Sequence, residues 1–181
     1  TSKSFGKKLE DLPRIEEACA YYISEVAEVL RAQKSCATYI QVFVTTNRYS
    51  AADKQYSNSS TITIPVPTNN TFILSIVSIF LKCIKKALKR IYRTGYRYKK
   101  VGVNLTGLIP QQYVQGNLFQ SPALYDKRLM NVIDALNHKF GKATVGSALV
   151  GTRVAQWELV KKDRSNRYTT QWGELLELKN K

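Results

Sequence analysis

The chain of 181 residues carries 28 lysines and arginines against 13 aspartates and glutamates, which gives a formal net charge of +15. Because 44% of the residues are hydrophobic, the chain can build a core, and a wholly disordered protein is excluded. So large a charge is commonly neutralised by a polyanion, most often nucleic acid and less often an anionic membrane surface. The most apolar stretch, residues 72–81, is too short to span a bilayer, so no membrane partner is expected.

The positive charge is concentrated in one part of the chain. No acidic residue lies between Asp53 and Asp126, and this stretch holds ten lysines or arginines, nine of them between Lys82 and Lys100. A solvated surface usually mixes both signs, so a long stretch of one sign favours a binding face for nucleic acid.

The first half of the chain predicts two strands separated by a helix. Residues 2–8 are typical of an edge strand. Residues 11–34 place apolar side chains every three or four positions after an acidic start signal and a proline, which predicts a helix. Residues 38–46 alternate in the manner of a strand, and we expect a polar loop over residues 47–60.

The second half repeats the pattern in the order strand, helix, strand. Residues 61–64 alternate strictly, and Pro65 and Pro67 are expected to end that strand. A long helix is expected over residues 69–95, and residues 100–106 alternate as a fourth strand. The order β-α-β-β-α-β predicts an α+β fold, with a four-stranded antiparallel sheet and two helices on one face.

The sheet face opposite the helices is expected to be open. Its outward side chains on the last two strands are small, polar or basic, which suits a sugar-phosphate backbone better than a protein core. They are Thr61, Thr63, Lys100, Gly102, Asn104 and Thr106. A further helix ending at Gly141, with Leu129, Val132, Ile133 and Leu136 on its apolar side, begins a helical C-terminal extension.

Catalytic and metal-binding arrangements are not expected. The acidic residues around the start of the first helix are explained by the helix dipole, and His138 has no Cys or His nearby in the sequence to complete a metal site. The cysteines are too far apart for a Cys-x-x-Cys pair and are expected to be small buried residues of a reducing compartment; they are Cys19, Cys36 and Cys83.

Six segments spread along nearly the whole chain carry a family resemblance. They are SKSFG (2–6), TNRY (46–49), QYSNS (55–59), PVPTN (65–69), IYRTGYRYKK (91–100) and RYTTQW (167–172). They resemble the UmuC family, the catalytic subunits of the bacterial error-prone polymerase V, within the Y-family DNA polymerases. The similar part is the C-terminal little finger domain with its tail, so the palm, fingers and thumb are expected upstream of Thr1.

The resemblance implies a non-catalytic, DNA-binding and clamp-tethering part of a translesion polymerase of the SOS response, working on the bacterial nucleoid in the cytoplasm. The implied DNA contacts are Ser4, Gly6, Lys7, Ser59, Thr61, Thr63, Lys99, Lys100 and Asn104. The implied partners are template-primer DNA, the sliding clamp and a UmuD′-like accessory subunit. No cofactor is expected here, whereas Mg²⁺ and deoxynucleotides would bind the catalytic part.

Three regions follow from this resemblance. Residues 1–112 would form the little finger domain, residues 113–120 a clamp-binding peptide and residues 121–181 a helical tail. The peptide contains Gln115, Leu118 and Phe119, which match the clamp-binding pattern Gln-x-x-Leu-Phe and offer two adjacent apolar anchors. The tail offers Trp172, Leu175 and Leu176 as an anchor for the accessory subunit.

Two other functions fit the same order of elements. An RNA-recognition module shares the β-α-β-β-α-β order, but it needs aromatic residues on its third strand to stack on bases, and residues 59–64 contain none. A pure protein-interaction scaffold is the other alternative, and it predicts no salt-sensitive DNA binding.

Overall fold

Four antiparallel strands form one sheet, and the helices pack on a single side of it. The computed structural model describes residues 1–71, 80–115, 127–146, 150 and 170–174, without the side chains of residues 80–85, 127 and 174. In chain order the elements are β1 Ser2–Leu9, α1 Leu12–Ala32, β2 Ser35–Thr46, β3 Ser57–Thr68, α2 Phe80–Ile91, β4 Tyr98–Pro110 and α3 Lys127–Phe140, with short 3-10 turns at Gln111–Tyr113 and Trp172–Glu174. The predicted fold class is confirmed.

The strand order is β1-β4-β2-β3, so β2 and β4 lie in the centre and β1 and β3 at the edges. Alternate residues of the strands point toward α1 and α2 and are fully buried there, as the period of two in a strand requires. The helices contribute apolar residues to the same core, whose largest fully buried side chains are Tyr22, Tyr98, Phe5, Ile15, Ile23, Ile40, Leu88, Ile91 and Val42. Both helices cover one sheet face, as the sequence predicts.

The third strand is longer than the sequence predicts. It begins at Ser57, inside the expected loop, and continues through Pro65 and Pro67 to Thr68. Proline lacks an N–H but is tolerated at a sheet edge or in a bulge, and β3 satisfies both conditions. It lies at the edge, and its register with β2 shifts between the pairs Tyr39↔Thr63 and Ala37↔Thr68.

The second helix ends at Ile91 rather than near Gly95, because tyrosine hydroxyls bind the backbone there. The Tyr56 hydroxyl donates to the Ile91 carbonyl at 2.6 Å. The Tyr98 hydroxyl accepts from the Arg93 N–H at 2.7 Å and donates to the Arg93 carbonyl at 3.0 Å. Burial raises the pKa of Tyr98, which keeps this hydroxyl protonated and able to donate.

The helix α3 is held against α1 by an ion pair. Arg31 donates from Nε and Nη2 to the two carboxylate oxygens of Asp134, at 2.6 and 2.7 Å. Its Nη1 also donates to the Asn69 carbonyl and to Thr71 Oγ1, at 2.7 and 2.6 Å. The guanidinium therefore joins the tail helix, α1 and the chain after β3.

This ion pair corrects the predicted apolar side of the tail helix. Leu129 and Val132, which the periodicity assigned to that side, are 55% and 56% exposed, whereas Met130 is 2% exposed. Because Asp134 must face Arg31, the helix turns Met130 inward instead. Gly141 does terminate the helix, with a φ of 108° that suits glycine.

Two of the three predicted buried cysteines, Cys19 and Cys36, are buried and form no disulfide, and the side chain of Cys83 lies outside the described residues. Within the described ranges, no helix is long and apolar enough to cross a membrane.

A buried carboxylate holds the connection between β2 and β3. Asp53 forms an ion pair with Lys8, and Arg97 Nη1 lies 3.5 Å from its other carboxylate oxygen. The Lys8 and Ser50 hydrogen bonds, with the positive charges of Lys8 and Arg97, hold the pKa of Asp53 below its usual range. Beside it, the Gln55 amide donates to three backbone carbonyls of the same loop, two of them at 3.0 Å.

The lowered pKa predicts acid sensitivity that depends on Asp53. Its contribution to the free energy of unfolding is fully present above the unfolded pKa of about 3.9 and is lost as pH falls through the lower folded pKa. Asp53→Asn should therefore lower the free energy of unfolding at pH 7. Between about pH 5 and pH 2, the free energy of unfolding of this variant should decrease less steeply than that of the unmodified chain. Urea unfolding followed by circular dichroism measures both, with Asp11→Asn, on an exposed carboxylate, as the control. If the free energy of unfolding of Asp53→Asn decreases with falling pH as steeply as that of the unmodified chain, Asp53 is not the source of the acid sensitivity.

The Arg31 contacts predict a strong dependence of stability on that residue. Arg31→Ala should lower the free energy of unfolding by about 2–3 kcal/mol, because it breaks charge-assisted hydrogen bonds and leaves Asp134 without its partner. Arg14→Ala is a matched control, since Arg14 pairs with Asp11 across 3.5 Å on the exposed surface, and it should change stability by less than about 0.5 kcal/mol. Equal losses for the two variants in chemical denaturation would refute the role of Arg31.

Candidate nucleic-acid interface

The sheet face turned away from the helices carries four rows of side chains, which we call the open face. The strand pairings define the rows, because paired residues of antiparallel strands point to the same side, with Cβ atoms about 5 Å apart. The rows are Ser4–Lys100–Thr45–Ser57, Ser2–Gly102–Phe43–Ser59, Asn104–Gln41–Thr61 and Thr106–Tyr39–Thr63.

Six of the nine predicted contact residues lie in these rows. They are Ser4, Ser59, Thr61, Thr63, Lys100 and Asn104. Five of the six are exposed, and Lys100 is half-buried. The strand register thus brings together residues from three strands that are up to a hundred positions apart in the sequence.

The other three predicted contacts lie beside the rows. Gly6 and Lys7 are exposed and fall in the stretch between Ser4 and Leu9 where β1 departs from regular pairing with β4. Lys99 occupies the bulge of β4 next to this stretch, and its Nζ donates to the Phe5 carbonyl at 2.7 Å. Its ammonium therefore already holds the two strands together at the irregular stretch.

The lysines of β1 and β4 divide into paired and unpaired groups. Lys3 binds Glu25 at 2.8 Å on the helix side, and Lys8 binds Asp53. Lys7 and Lys100, in contrast, form no ion pair with another described residue. No aspartate or glutamate occurs in any of the four rows. The open face is therefore polar, partly hydroxylated and free of negative charge.

The basic residues of α2 lie on the opposite side of the domain. Lys86, Lys89 and Arg90 are exposed on the helix, whose buried residues Ala87 and Leu88 face the sheet. A nucleic acid on the open face would therefore not touch them, as expected for a solvated helix surface.

Sequence reasoning missed the contribution of β2 to the open face. Tyr39, Gln41, Phe43 and Thr45 stand in the middle of the four rows, and Asn104 Nδ2 donates to Gln41 Oε1 at 3.3 Å. The signal was present in the alternation of residues 38–46, whose polar and aromatic set must point away from the core once Val42 and Val44 are buried.

The predicted clamp-binding and subunit-binding residues are only partly covered by the structure. Gln115 is exposed, just after the 3-10 turn Gln111–Tyr113. Trp172 is 88% exposed. Leu118, Phe119, Leu175 and Leu176 lie outside the described residues. Among the described residues, no three His, Cys, Asp or Glu side chains are grouped as metal ligands.

The fold and this face define an α+β domain with one face covered by helices and the other open, polar and without acids. A model of the impB/mucB/samB family C-terminal domain matches residues 1–118, and the chain belongs to that family. A second model, a domain of unknown function (DUF4113), matches residues 127–178. The resemblance to the UmuC family is thereby confirmed.

Individual relatives agree with the family match. The chain is 34% identical over 180 residues to protein UmuC of Salmonella typhimurium strain LT2, covering 98% of this chain and 41% of that protein. It is 31% identical over 176 residues to protein ImpB of Salmonella typhimurium, covering 96% of this chain and 40% of ImpB. The chain thus spans about two fifths of the length of the curated relatives it matches.

Proposed function

We propose that this chain is the DNA-holding and clamp-tethering part of an error-prone translesion polymerase that acts on DNA in the bacterial cytoplasm. The observation that carries the proposal is the open face: four rows made mostly of hydroxyl and amide side chains, with one lysine, two aromatic rings and no acid among them, in a chain of net charge +15. Nucleotide incorporation belongs to the rest of the polymerase, where Mg²⁺ and deoxynucleotides would bind.

The proposed contacts are those that hold a sugar-phosphate backbone. Ammonium groups neutralise phosphates, while serine and threonine hydroxyls and backbone N–H groups donate hydrogen bonds to phosphate oxygens. Contacts of this kind position a protein on DNA without reading its bases, so little sequence preference follows. The contact set is Ser4, Gly6, Lys7, Ser59, Thr61, Thr63, Lys99, Lys100 and Asn104.

The lysines of this set contribute unequally. Lys7 and Lys100 have their ammonium groups available among the described residues, whereas Lys99 uses one of its three donors on the Phe5 carbonyl. Lys99 therefore has two roles. One of its donors holds β1 against β4, and the remaining donors are available to a phosphate. Its removal should affect stability as well as binding.

Salt dependence of DNA binding tests the proposal. If the three lysines of this set neutralise about three phosphates, log K should fall with log salt at a slope of roughly −3 on duplex and primer-template DNA. Lys7→Ala and Lys100→Ala should each flatten the slope by about 0.9. Fluorescence anisotropy with a labelled oligonucleotide at several salt concentrations gives these slopes.

The matched control for the lysine variants is Lys86→Ala together with Lys89→Ala. This pair removes two positive charges from the helix side and should leave the slope nearly unchanged, because α2 lies behind the sheet. If the control flattens the slope as much as Lys7→Ala and Lys100→Ala together, the assignment of the interface is overturned. A slope near zero in the unmodified chain would reject DNA binding itself.

The clamp-tethering half of the proposal rests on Gln115, Leu118 and Phe119. Gln115 is exposed directly after the little finger domain, where a partner can reach it. Two adjacent apolar side chains that enter a pocket supply most of the binding energy of such a peptide, and a glutamine fixes its orientation. The exposed Trp172, with Leu175 and Leu176, is proposed as the contact for a UmuD′-like accessory subunit.

Clamp binding should depend on the peptide and not on the fold. Leu118→Ala with Phe119→Ala should weaken binding to the bacterial sliding clamp at least about tenfold, or about 1.4 kcal/mol, while Gln115→Ala has a smaller effect. Isothermal calorimetry with the purified clamp measures both. Tyr113→Ala is the control, since Tyr113 is 71% exposed in the same peptide but lies outside the Gln-x-x-Leu-Phe motif. A melting temperature lowered by more than a few degrees in the double variant would mean that the two residues pack within the fold.

A further inference from the structure

Two aromatic residues stand on the open face among side chains that suit phosphate. Tyr39 and Phe43 both belong to β2 and lie four residues apart, which places their Cα atoms about 13 Å from each other. Gln41 lies between them and is bonded to Asn104. Tyr39 is 41% exposed and Phe43 is half-buried. A face that bound only phosphates would gain nothing from such rings.

Each ring lies over a glycine of the neighbouring strand β4. A Cβ atom on Gly102 would stand 2.3 Å from the Phe43 ring, and one on Gly107 would stand 2.7 Å from the Tyr39 ring. Gly107 also has a φ of 63°, a conformation that favours glycine. The two glycines therefore leave room for the rings to lean across β4.

The surroundings of the rings indicate what they bind. Their row neighbours are Ser2, Ser59, Thr63 and Thr106, all short side chains with hydroxyl groups. The absence of acids from the four rows favours a polyanion as the occupant. Aromatic rings beside a positively charged, hydroxyl-rich surface are the usual combination for single-stranded nucleic acid, whose bases stack on the rings.

We propose that Tyr39 and Phe43 form a stacking platform for unpaired nucleotides, so that the open face grips a single-stranded segment of DNA in addition to duplex phosphates. This inference rests on the proposed function and adds a ligand class to the same face. Bases within a duplex are stacked on one another and do not offer their faces to a protein. The rings should therefore contribute to the binding of single strands and very little to that of duplexes.

The test compares single-stranded and duplex DNA of the same sequence for Tyr39→Leu and Phe43→Leu. Leucine keeps an apolar side chain over the glycine but removes the aromatic face. Each variant should weaken single-strand binding at least about fivefold and change duplex binding less than about twofold. The slope of log K against log salt should stay as in the unmodified chain, because no charge is removed.

Two further variants make the outcome decisive. Tyr39→Phe keeps the ring and should retain single-strand affinity within about twofold. Tyr49→Leu removes an aromatic residue that is 97% exposed in the loop after β2, outside the open face, and should leave single-strand affinity unchanged. Melting temperatures followed by circular dichroism show whether the leucine variants remain folded.

The results separate this inference from the function on which it rests. If the unmodified chain binds neither DNA form with a salt-dependent affinity, the proposed function fails. If duplex binding has the expected slope but the leucine variants keep their single-strand affinity, the platform is wrong and the proposed function stands. Equal losses on both DNA forms, with a lowered melting temperature, would also overturn the platform, because the rings would then serve only to cover the sheet.

Discussion

The pairing of β2 with β4 is the constraint on which both faces of the domain depend. It runs from Ser35↔Pro110 to Thr46↔Tyr98 through the centre of the sheet. Because side chains alternate along a strand, a slip by one residue would move Val42 and Val103 to the surface and turn the polar rows toward the helices. The register is fixed by the burial of the apolar set under α1 and α2. The position of every open-face residue is a consequence of that burial, and no separate interaction among the polar residues is needed.

The same arrangement determines on which surface of the domain the charged side chains lie. The acids of the described residues all lie outside the four strands, and two of them neutralise lysines of β1, as Glu25 does for Lys3 and Asp53 for Lys8. The lysines nearest the open rows have no such partners among the described residues. The net charge of a sequence gives the size of the excess of positive charge. Only the alternation of side chains along the strands determines which surface of the domain carries that excess. For this reason the described basic residues of one short stretch lie on different surfaces, with Lys86, Lys89 and Arg90 on α2 and Lys100 on the open face.

The sequence predicts helices and strands well wherever one side of the element is buried, because the apolar residues then recur with the period of a helix or of a strand. It therefore predicts the fold class and the order of the strands and helices along the chain, and six of the nine contact residues that it predicts lie in the four rows. It fails where long-range geometry decides the outcome. The tolerance of β3 for Pro65 depends on its place at the sheet edge, which is a property of strand order. The orientation of α3 depends on Arg31 and Asp134, which are 103 positions apart. The aromatic residues of β2 are visible in the sequence, but the room for their rings comes from two glycines of another strand.

The domain also limits where a clamp can be held. The Gln111 N–H donates to the Lys34 carbonyl at 2.9 Å, just after α1, and Arg31 near the end of that helix binds Asp134. The chain on both sides of residues 116–126 is therefore anchored next to the same helix end. On the proposed function, a clamp bound through the peptide that follows would sit close to the end of β4, one of the three strands that contribute to all four rows of the open face. The proposed function therefore places the clamp and the DNA on the same folded domain.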